Sequence, residues 1–534
     1  MEFKKKVFQG VLLVVFLTGL ALSGPRPVLA QFGGGQDSLR GWFTIIWGDN
    51  STGASSDPLY QITDANGQTT ALLLNETVAK SVGGALKLNG KFVSLEGAWA
   101  ASSSYQGAAN QGVSTHFNVS AITLDQTLAA TQEGDVLPAV SGSKPWVTIM
   151  CKFSDYATEP KNLAFFQGMY ASTKPGLDHY WREQSYGTVD VAGSTAYGWF
   201  VLPQNELYYN PTNTTGGTNL NTLATDCIAA ADASVNYSNY SGINMMFNTD
   251  FDNGYAWGGS RYMTLDGVTK SWSTTWEPPW GYASISVIAH EMGHGFGLPH
   301  SSGSYGQTYD NAWDVMSQDR YNCGVATDAT YGCMAQHTIT YHKDRLGWVP
   351  AGQKYIAGAV DNVNLTLEQL ALPTNGNYKM VQIPIAGSSS HFYTVEARRQ
   401  AGYDVKVTGP AIIIHEVDTT RQRPAYVIDA DGNGNTSDAG AMWISGEVFS
   451  DVANKIYVNV LSATATGFQV NIRVGDLSGD VDFNGAVNLK DAILLLQIVS
   501  GQTPSGTISL TADVNSDSHL GLPEAIYVIK KIAQ

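Results

Sequence analysis

A multidomain α+β architecture is predicted for this chain, and three observations carry the prediction. Its 534 residues exceed what one hydrophobic core ordinarily organises. Short β-branched and aromatic runs recur between Gly, Asn and Ser turns along most of its length. Charged residues are only 14% and glycines number 56, a balance that favours loop-rich sheet domains over long helical bundles. Element order divides the chain into residues 1–30, 31–143, 144–350, 351–474 and 475–534.

Residues 1–30 read as a secretory signal peptide. Lys4, Lys5 and Lys6 form the positive region, 7–22 is nearly all apolar, and Val28, Leu29 and Ala30 end in a small residue suited to cleavage. A secreted, extracellular or cell-surface location is therefore expected. No other stretch is long and apolar enough to cross a bilayer. The four cysteines fit two disulfides in such a compartment. Three connectivities exist; Cys323–Cys333 as a local clasp and Cys151–Cys227 as a longer tie are preferred. The net charge of −16 and pI near 5.0 make nucleic acid a poor partner.

Residues 31–143 show strand patterns at 41–47, 70–74, 91–96 and 115–123, which predict a small OB-like barrel of about five strands. Lying ahead of the next region, this domain is either a pro-segment or an accessory domain. It holds no cysteine, so it cannot block a metal through a thiolate.

In 144–350, strands (145–153, 189–201, 243–247) alternate with helical patterns (a stretch ending at 177–186, then 219–235), which predicts a twisted sheet with helices packed on it. The segment that follows carries the chemistry. In a helix, His290 and His294 are four residues apart and share one face. Glu291 sits one step round, where it can take a proton from a metal-activated water. Gly297 ends the helix by adopting the left-handed conformation that glycine enters cheaply. The chain then turns, and His300 returns as a third ligand. Three histidines leave one tetrahedral position open, the arrangement of a catalytic rather than structural zinc site. This spacing, HExxHxxGxxH, is the metzincin zinc-peptidase signature. Met316, in Asn311-Ala312-Trp313-Asp314-Val315-Met316-Ser317, occupies the place of the methionine turn that underlies such a site.

Further stretches extend the resemblance. Ser185-Tyr186-Gly187, 198–203, Gly297-Leu298-Pro299-His300 and Arg345-Leu346-Gly347-Trp348 resemble the immune-inhibitor-A-like and gametolysin-like secreted metallopeptidases. The stretches 392–404 and 412–418 are similar to the immune-inhibitor-A-like pattern. The resemblance covers roughly 144–474 and implies a metzincin α/β catalytic domain followed by a β-rich domain. One departure is the third ligand: aspartate is common in the immune-inhibitor-A-like group, whereas His300 matches the gametolysin-like group. Some metzincins place a tyrosine two residues after the turn methionine; Gln318 occupies that position here. Tyr321 and Tyr341 are the candidates to polarise a carbonyl.

Residues 351–474 alternate as strands at 363–367, 378–383, 392–396, 412–417, 456–461 and 468–474, which predicts a β-sandwich. Asp429, Asp431, Asn433 and Asn435 offer oxygens at alternate positions, as in a calcium loop or an ordinary polar surface loop.

Residues 475–534 contain a repeat 33 residues apart. The first loop supplies Asp480, Asp482, Asn484, Ala486, Asn488 and Asp491; the second supplies Asp513, Asn515, Asp517, His519 and Glu524. Oxygen donors recur at positions 1, 3, 5 and 12 of a twelve-residue loop, with the backbone carbonyl of Ala486 or His519 at position 7. Gly485 makes the sharp turn in the first loop, and Ser518 replaces it in the second. Each loop leads into an apolar helix, 492–499 or 525–532. This resembles a dockerin module, which implies structural Ca2+ and a cohesin-bearing partner. The pairs Leu489-Lys490 and Leu522-Pro523 stand where many dockerins have Ser-Thr.

The expectation is a secreted zinc endopeptidase acting on protein substrates: Glu291 as base, His290, His294 and His300 on zinc, Ca2+ in the C-terminal repeat. The competing expectation is a non-catalytic scaffold or adhesion protein that uses the same domains for binding.

Overall fold

The computed structural model describes residues 37–50, 57–101, 115–125, 139–211, 217–319, 323, 326–475, 478–482, 486–506 and 508–534. The proposed signal peptide, Tyr321, Asn484 and Gly485 lie outside them. The fold is mixed α+β and mostly sheet.

The N-terminal region is built on β1 (Asp37–Asn50), with β2 (Leu59–Thr63), β3 (Thr69–Leu73), α1 (Glu76–Ser81), β4 (Phe92–Ala101) and β5 (Thr115–Leu124). The strands run in the order β2-β3-β5-β4-β1, and β1 also pairs with β2, closing a five-stranded barrel. Only β3 and β5 are parallel. Inward residues such as Phe43, Ile45, Val93, Leu95 and Phe117 fill it. The predicted barrel is present, and β2 is an addition to the strands the sequence suggested.

At 14 residues, β1 is longer than the barrel needs. Its first part pairs with β4 and its middle with β2. Its last residues, Ile46–Asn50, pair antiparallel with Gly259–Tyr255 of β9. One strand thus joins the barrel to a second sheet, formed by β6 (Trp146–Lys152), β7 (Thr195–Val201), β8 (Gly242–Phe247), β9 (Tyr255–Leu265) and β10 (Val268–Glu277). Its order is β1-β9-β10-β8-β6-β7. β10, β8, β6 and β7 are mutually parallel, and β9 is antiparallel to β10.

Helices cover both faces of this sheet. On one face α3 (Leu220–Ala231) buries Leu220, Leu223, Ala224 and Cys227 against β6 and β7. The Cys151–Cys227 disulfide ties that helix to β6, with Cα atoms 5.8 Å apart. On the other face α2 (Leu177–Gln184) and α4 (Ile285–Gly295) pack through Tyr180, Trp181, Ile288 and Met292. Burial on both faces explains why β6 and β8 read as nearly continuous apolar runs. The Cys323–Cys333 clasp also forms, with Cα atoms 4.9 Å apart.

The next region places two sheets over one core. One contains β12 (Met380–Pro384), β13 (His391–Arg398), β14 (Ala411–Asp418) and β15 (Ala425–Val427), flanked by Lys354–Ile356 and Ser302–Gly303. The other contains β11 (Asp361–Glu368), β16 (Val448–Asp451), β17 (Ile456–Ala463) and β18 (Gly467–Val474) in the order β11-β18-β17-β16. Leu367, Ile383, Val395, Ile414, Val458 and Val470 meet between them. At the C-terminus, α6 (Leu489–Val499) and α7 (Leu522–Ile532) pack together around Leu495, Ala525 and Val528. Both helices begin three residues earlier than their apolar runs suggest, because Asp491 and Glu524 in the first turns accept from the backbone N–H groups of Asn488 and Gly521.

Candidate metal centre

The site is assembled on α4. Ile285, Ile288, Ala289 and Met292 bury one stripe against the sheet and leave His290 and His294 facing the cleft. The helix ends as expected. Gly297 has φ 94°, its N–H donates to His294 O at 2.9 Å, and Leu298 N–H donates to Gly293 O at 3.0 Å. This paired C-terminal cap turns the chain back and brings His300 to the other two histidines.

The three Nε2 atoms converge. His290 and His294 are 3.0 Å apart, His294 and His300 3.0 Å, and His290 and His300 3.3 Å. A tetrahedral ion with zinc–nitrogen bonds of about 2.0–2.1 Å would set its nitrogens roughly 3.3 Å apart. The opposite ring nitrogens are committed: His290 Nδ1–H donates to Val315 O at 2.7 Å and His294 Nδ1–H to Leu298 O at 2.8 Å. That fixes the tautomer with the Nε2 lone pairs facing inward, as a metal ligand requires. Asp49 from β1 completes the group. Its Oδ1 lies 2.9 Å from His300 Nε2, and its Oδ2 lies 3.3 Å from His290 Nε2 and 3.5 Å from His294 Nε2. Asp49, His290, His294 and His300 form a buried group that could hold a metal ion.

Electrostatics fit a cation at this point. Burial pushes His294 down to about 3 and is the chief cause of the lowered His300 value. Burial also opposes protonation of His290, but the Asp49 carboxylate outweighs it and pulls that group up to about 9. Asp49 is itself held well below the carboxylate range, because His300 and His290 overcome its burial. The cluster therefore stabilises one positive charge at its centre. Both Glu291 oxygens and Asp49 Oδ2 are buried without a hydrogen-bond partner among the described residues, as expected of groups waiting on an ion or its ligand. Burial, then the neighbouring Asp49 and Glu277, push the Glu291 carboxyl well above its ordinary value. Glu277, at the end of β10, is pushed up to about 8, chiefly by burial.

Beneath the helix, Met316 is fully buried, and its Sδ lies 2.5 Å from where a Cβ on Gly293 would be. The turn carrying it is fixed by Asp314, whose Oδ1 accepts from Met316 N–H at 3.1 Å and whose Oδ2 accepts from Ser301 Oγ at 2.6 Å. One carboxylate thus braces the methionine and the residue after His300. A cavity of about 510 Å3 borders the cluster, lined by Asp49, Trp280, Val287, Glu291, Tyr309 and Gln318.

One expectation is corrected. Tyr341 is not at the site; it is buried on α5 (Thr340–Arg345) beside Phe392. The tyrosine that is there is Tyr309, whose hydroxyl donates to Asp49 Oδ1 and whose ring lies 5.5 Å from that of His300. Around their motif the sequence offers no sign of a fourth group at the histidines, because Asp49 stands at the end of a strand far from it. The available signal was an acidic residue closing the apolar run 41–47.

In the C-terminal repeat, Asp480, Asp482 and Asp491 converge as a second group able to hold an ion. Asp491 Oδ1 accepts from Val481 N–H at 2.7 Å, and Asn488 caps α6. Ala486 O accepts from Asn488 Nδ2 at 3.1 Å. In the second loop Asp513 accepts from the N–H groups of Asn515, Ser516 and Ser518, and Glu524 closes back on Gly521 N–H at 2.7 Å. Asp517 accepts from His519 N–H at 2.8 Å. Among the described residues, Asp513, Asp517 and Glu524 are not drawn into a comparable cluster. In the Asp429–Asn435 stretch, Asp429 accepts from Gly434 N–H and Asp431 from Asn433 N–H. The chain matches no protein-family model, and no curated protein is significantly similar to it.

Proposed function

We propose that the protein is a secreted zinc endopeptidase of metzincin type. The observation that carries this reading is the meeting of His290, His294 and His300 Nε2 atoms within 3.3 Å, with Glu291 on the next helical position. Three imidazoles with inward lone pairs suit zinc better than the all-oxygen shells of calcium or magnesium. When bound, zinc supplies Lewis-acid polarisation and lowers the pKa of water. The chain's own residues do the rest. His290 and His294 are oriented by Val315 O and Leu298 O. Glu291 takes a proton from the attacking water and passes it to the leaving amine. Its buried, donor-free carboxylate suits a group that must both accept and release a proton.

The expected outcome for Glu291→Gln is retention of one zinc per chain with peptide cleavage lowered by at least ~100-fold. Zinc chelation of the processed wild type should abolish casein clearing, and zinc should restore it. Undiminished cleavage by the Gln variant would remove Glu291 from its role. No clearing by correctly processed wild type would favour a binding protein.

The C-terminal helices support docking to a second protein through a dockerin-like, calcium-loaded module. Ile493 and Leu496 on α6 are matched 33 residues later by Ile526 and Ile529 on α7, and all four are 44–48% exposed. Two equivalent apolar stripes on a repeated loop–helix pair suit a cohesin-like partner.

A further inference from the structure

Glu277, the last residue of β10, lies toward the metal centre, beside Glu291. Where that strand begins, there is a second cleft, of about 310 Å3. Lys144 stands just before β6, Ser241 just before β8, and Lys270 and Ser271 near the start of β10. The cleft thus gathers the N-terminal ends of three parallel strands. On β9, Ser260 pairs with Ser273 of β10, and both line it. The barrel adds Asn89 and Gly90, and the end of α4 closes the wall.

The polar groups here have donors to spare. Ser260 is only 8% exposed, and its hydroxyl makes no hydrogen bond among the described residues. Ser271 Oγ is buried, also without a partner among them. No carboxylate among the described residues lines the cleft, and neither lysine is paired with one. Lys270 Nζ donates to Tyr240 O at 3.0 Å and lies 3.9 Å from the centre of the Trp272 ring. An ammonium has three donors, so it keeps capacity for a further acceptor. Burial, then the neighbouring Lys144, hold that ammonium below its ordinary value, as expected of positive charge gathered without a counter-ion. The helix-end carbonyls that would repel an anion are engaged. Gly295 O accepts from Ser273 Oγ at 2.5 Å, and Gly297 O from Arg345 Nε at 3.3 Å.

We propose that this cleft binds a tetrahedral oxyanion of the sulfate and phosphate class, with Lys144 and Lys270 balancing its double charge and Ser260 and Ser271 donating to its oxygens. Buried donors left unfilled cost free energy, and a guest that only accepts hydrogen bonds removes that cost. The chain's net charge of −16 repels anions over most of its surface, so attraction has to be local, as it is between two unpaired ammoniums. Val140 and Phe296 supply an apolar wall suited to the carbon skeleton of a sulfate or phosphate monoester. Barrel, sheet and α4 each contribute to the cleft, so an anion held there ties the three together.

The test is equilibrium dialysis of the full, zinc-loaded chain against radiolabelled sulfate, with ionic strength held constant by sodium chloride. Sulfate is the probe because phosphate would also compete for the metal centre. Wild type should take up one sulfate per chain. Lys144→Met and Ser260→Ala remove side chains that make no hydrogen bond among the described residues, so both variants should keep their zinc and their melting temperature in chloride. Lys144→Met should lower sulfate affinity at least ~10-fold and Ser260→Ala at least ~3-fold. Unlabelled p-nitrophenyl sulfate should displace the label where the group arrives on a larger molecule; bound sulfate that it cannot displace assigns the cleft to the free ion. No uptake up to about 10 mM sulfate, or equal uptake by wild type and both variants (an adventitious ion only), would overturn the proposal.

Discussion

At the scale of single residues, the site depends on how closely β9 approaches α4. Gly258 lets this happen: a Cβ there would lie 2.5 Å from Glu291 O and 2.7 Å from its Oε2. Because the first of these is backbone, it cannot swing aside. Gly258→Ala should therefore displace the helix, cost about 1–3 kcal/mol, and lower cleavage, as read by urea unfolding and peptide assay. Gly376→Ala, where a Cβ meets nothing within 4 Å, is the neutral control. Residue-level legibility follows the same geometry. His290, Glu291 and His294 could be placed from the sequence because helical periodicity fixes their faces, and Gly297 announced the turn that delivers His300. Asp49 and Tyr309 could not, since they lie 260 residues apart and meet only through strand register and a loop.

At the scale of elements, one buried guanidinium joins the metal-centre region to the sheet pair behind it. Arg398, at the end of β13, donates to Asp404 at 2.8 and 3.0 Å, to Glu396 at 2.9 Å and to Trp313 O at 2.6 Å. Trp313 opens the turn that carries Met316, so the 392–404 stretch braces the floor of the metal centre. Arg398→Met would leave Asp404 and Glu396 buried without their cation and should cost about 3–5 kcal/mol in urea unfolding. Burial works against ionisation of Asp404, but Arg398 and His337 outweigh it and hold its carboxyl below the ordinary value. Stability from this group is therefore complete above its unfolded pKa of about 3.9 and is lost as pH falls through the lower folded value. In Asp404→Asn the acid-side slope of stability should flatten, as followed by denaturation at pH 2–5. Most strands were legible from alternation, but the β9–β10 hairpin was not. Gly258-Gly259 interrupts it, and Arg261 and Lys270 give its outer end the look of a loop.

At the scale of the whole molecule, the regions are coupled rather than strung together. Arg473, buried in β18, donates to Asp480 at 2.6 Å, so the sheet pair grips the first residue of the C-terminal repeat. That same Asp480 belongs to the Asp480/Asp482/Asp491 group. If calcium binds there, EGTA should reduce helical circular dichroism from α6 and α7 and lower the thermal midpoint of the sheet pair as well, while zinc stays bound. Unchanged circular dichroism and melting would leave the repeat without a structural cation. Repeats and sheet regions could be read from composition and spacing, whereas these couplings depend on which single side chain crosses each boundary. The strand common to the barrel and the neighbouring sheet carries the largest such consequence. Without it, the backbone amides and carbonyls of β9 beside the histidines would stand unpaired among the described residues. A bare strand edge of this kind templates pairing with another chain, so loss of the β1 segment should promote self-association, read by light scattering.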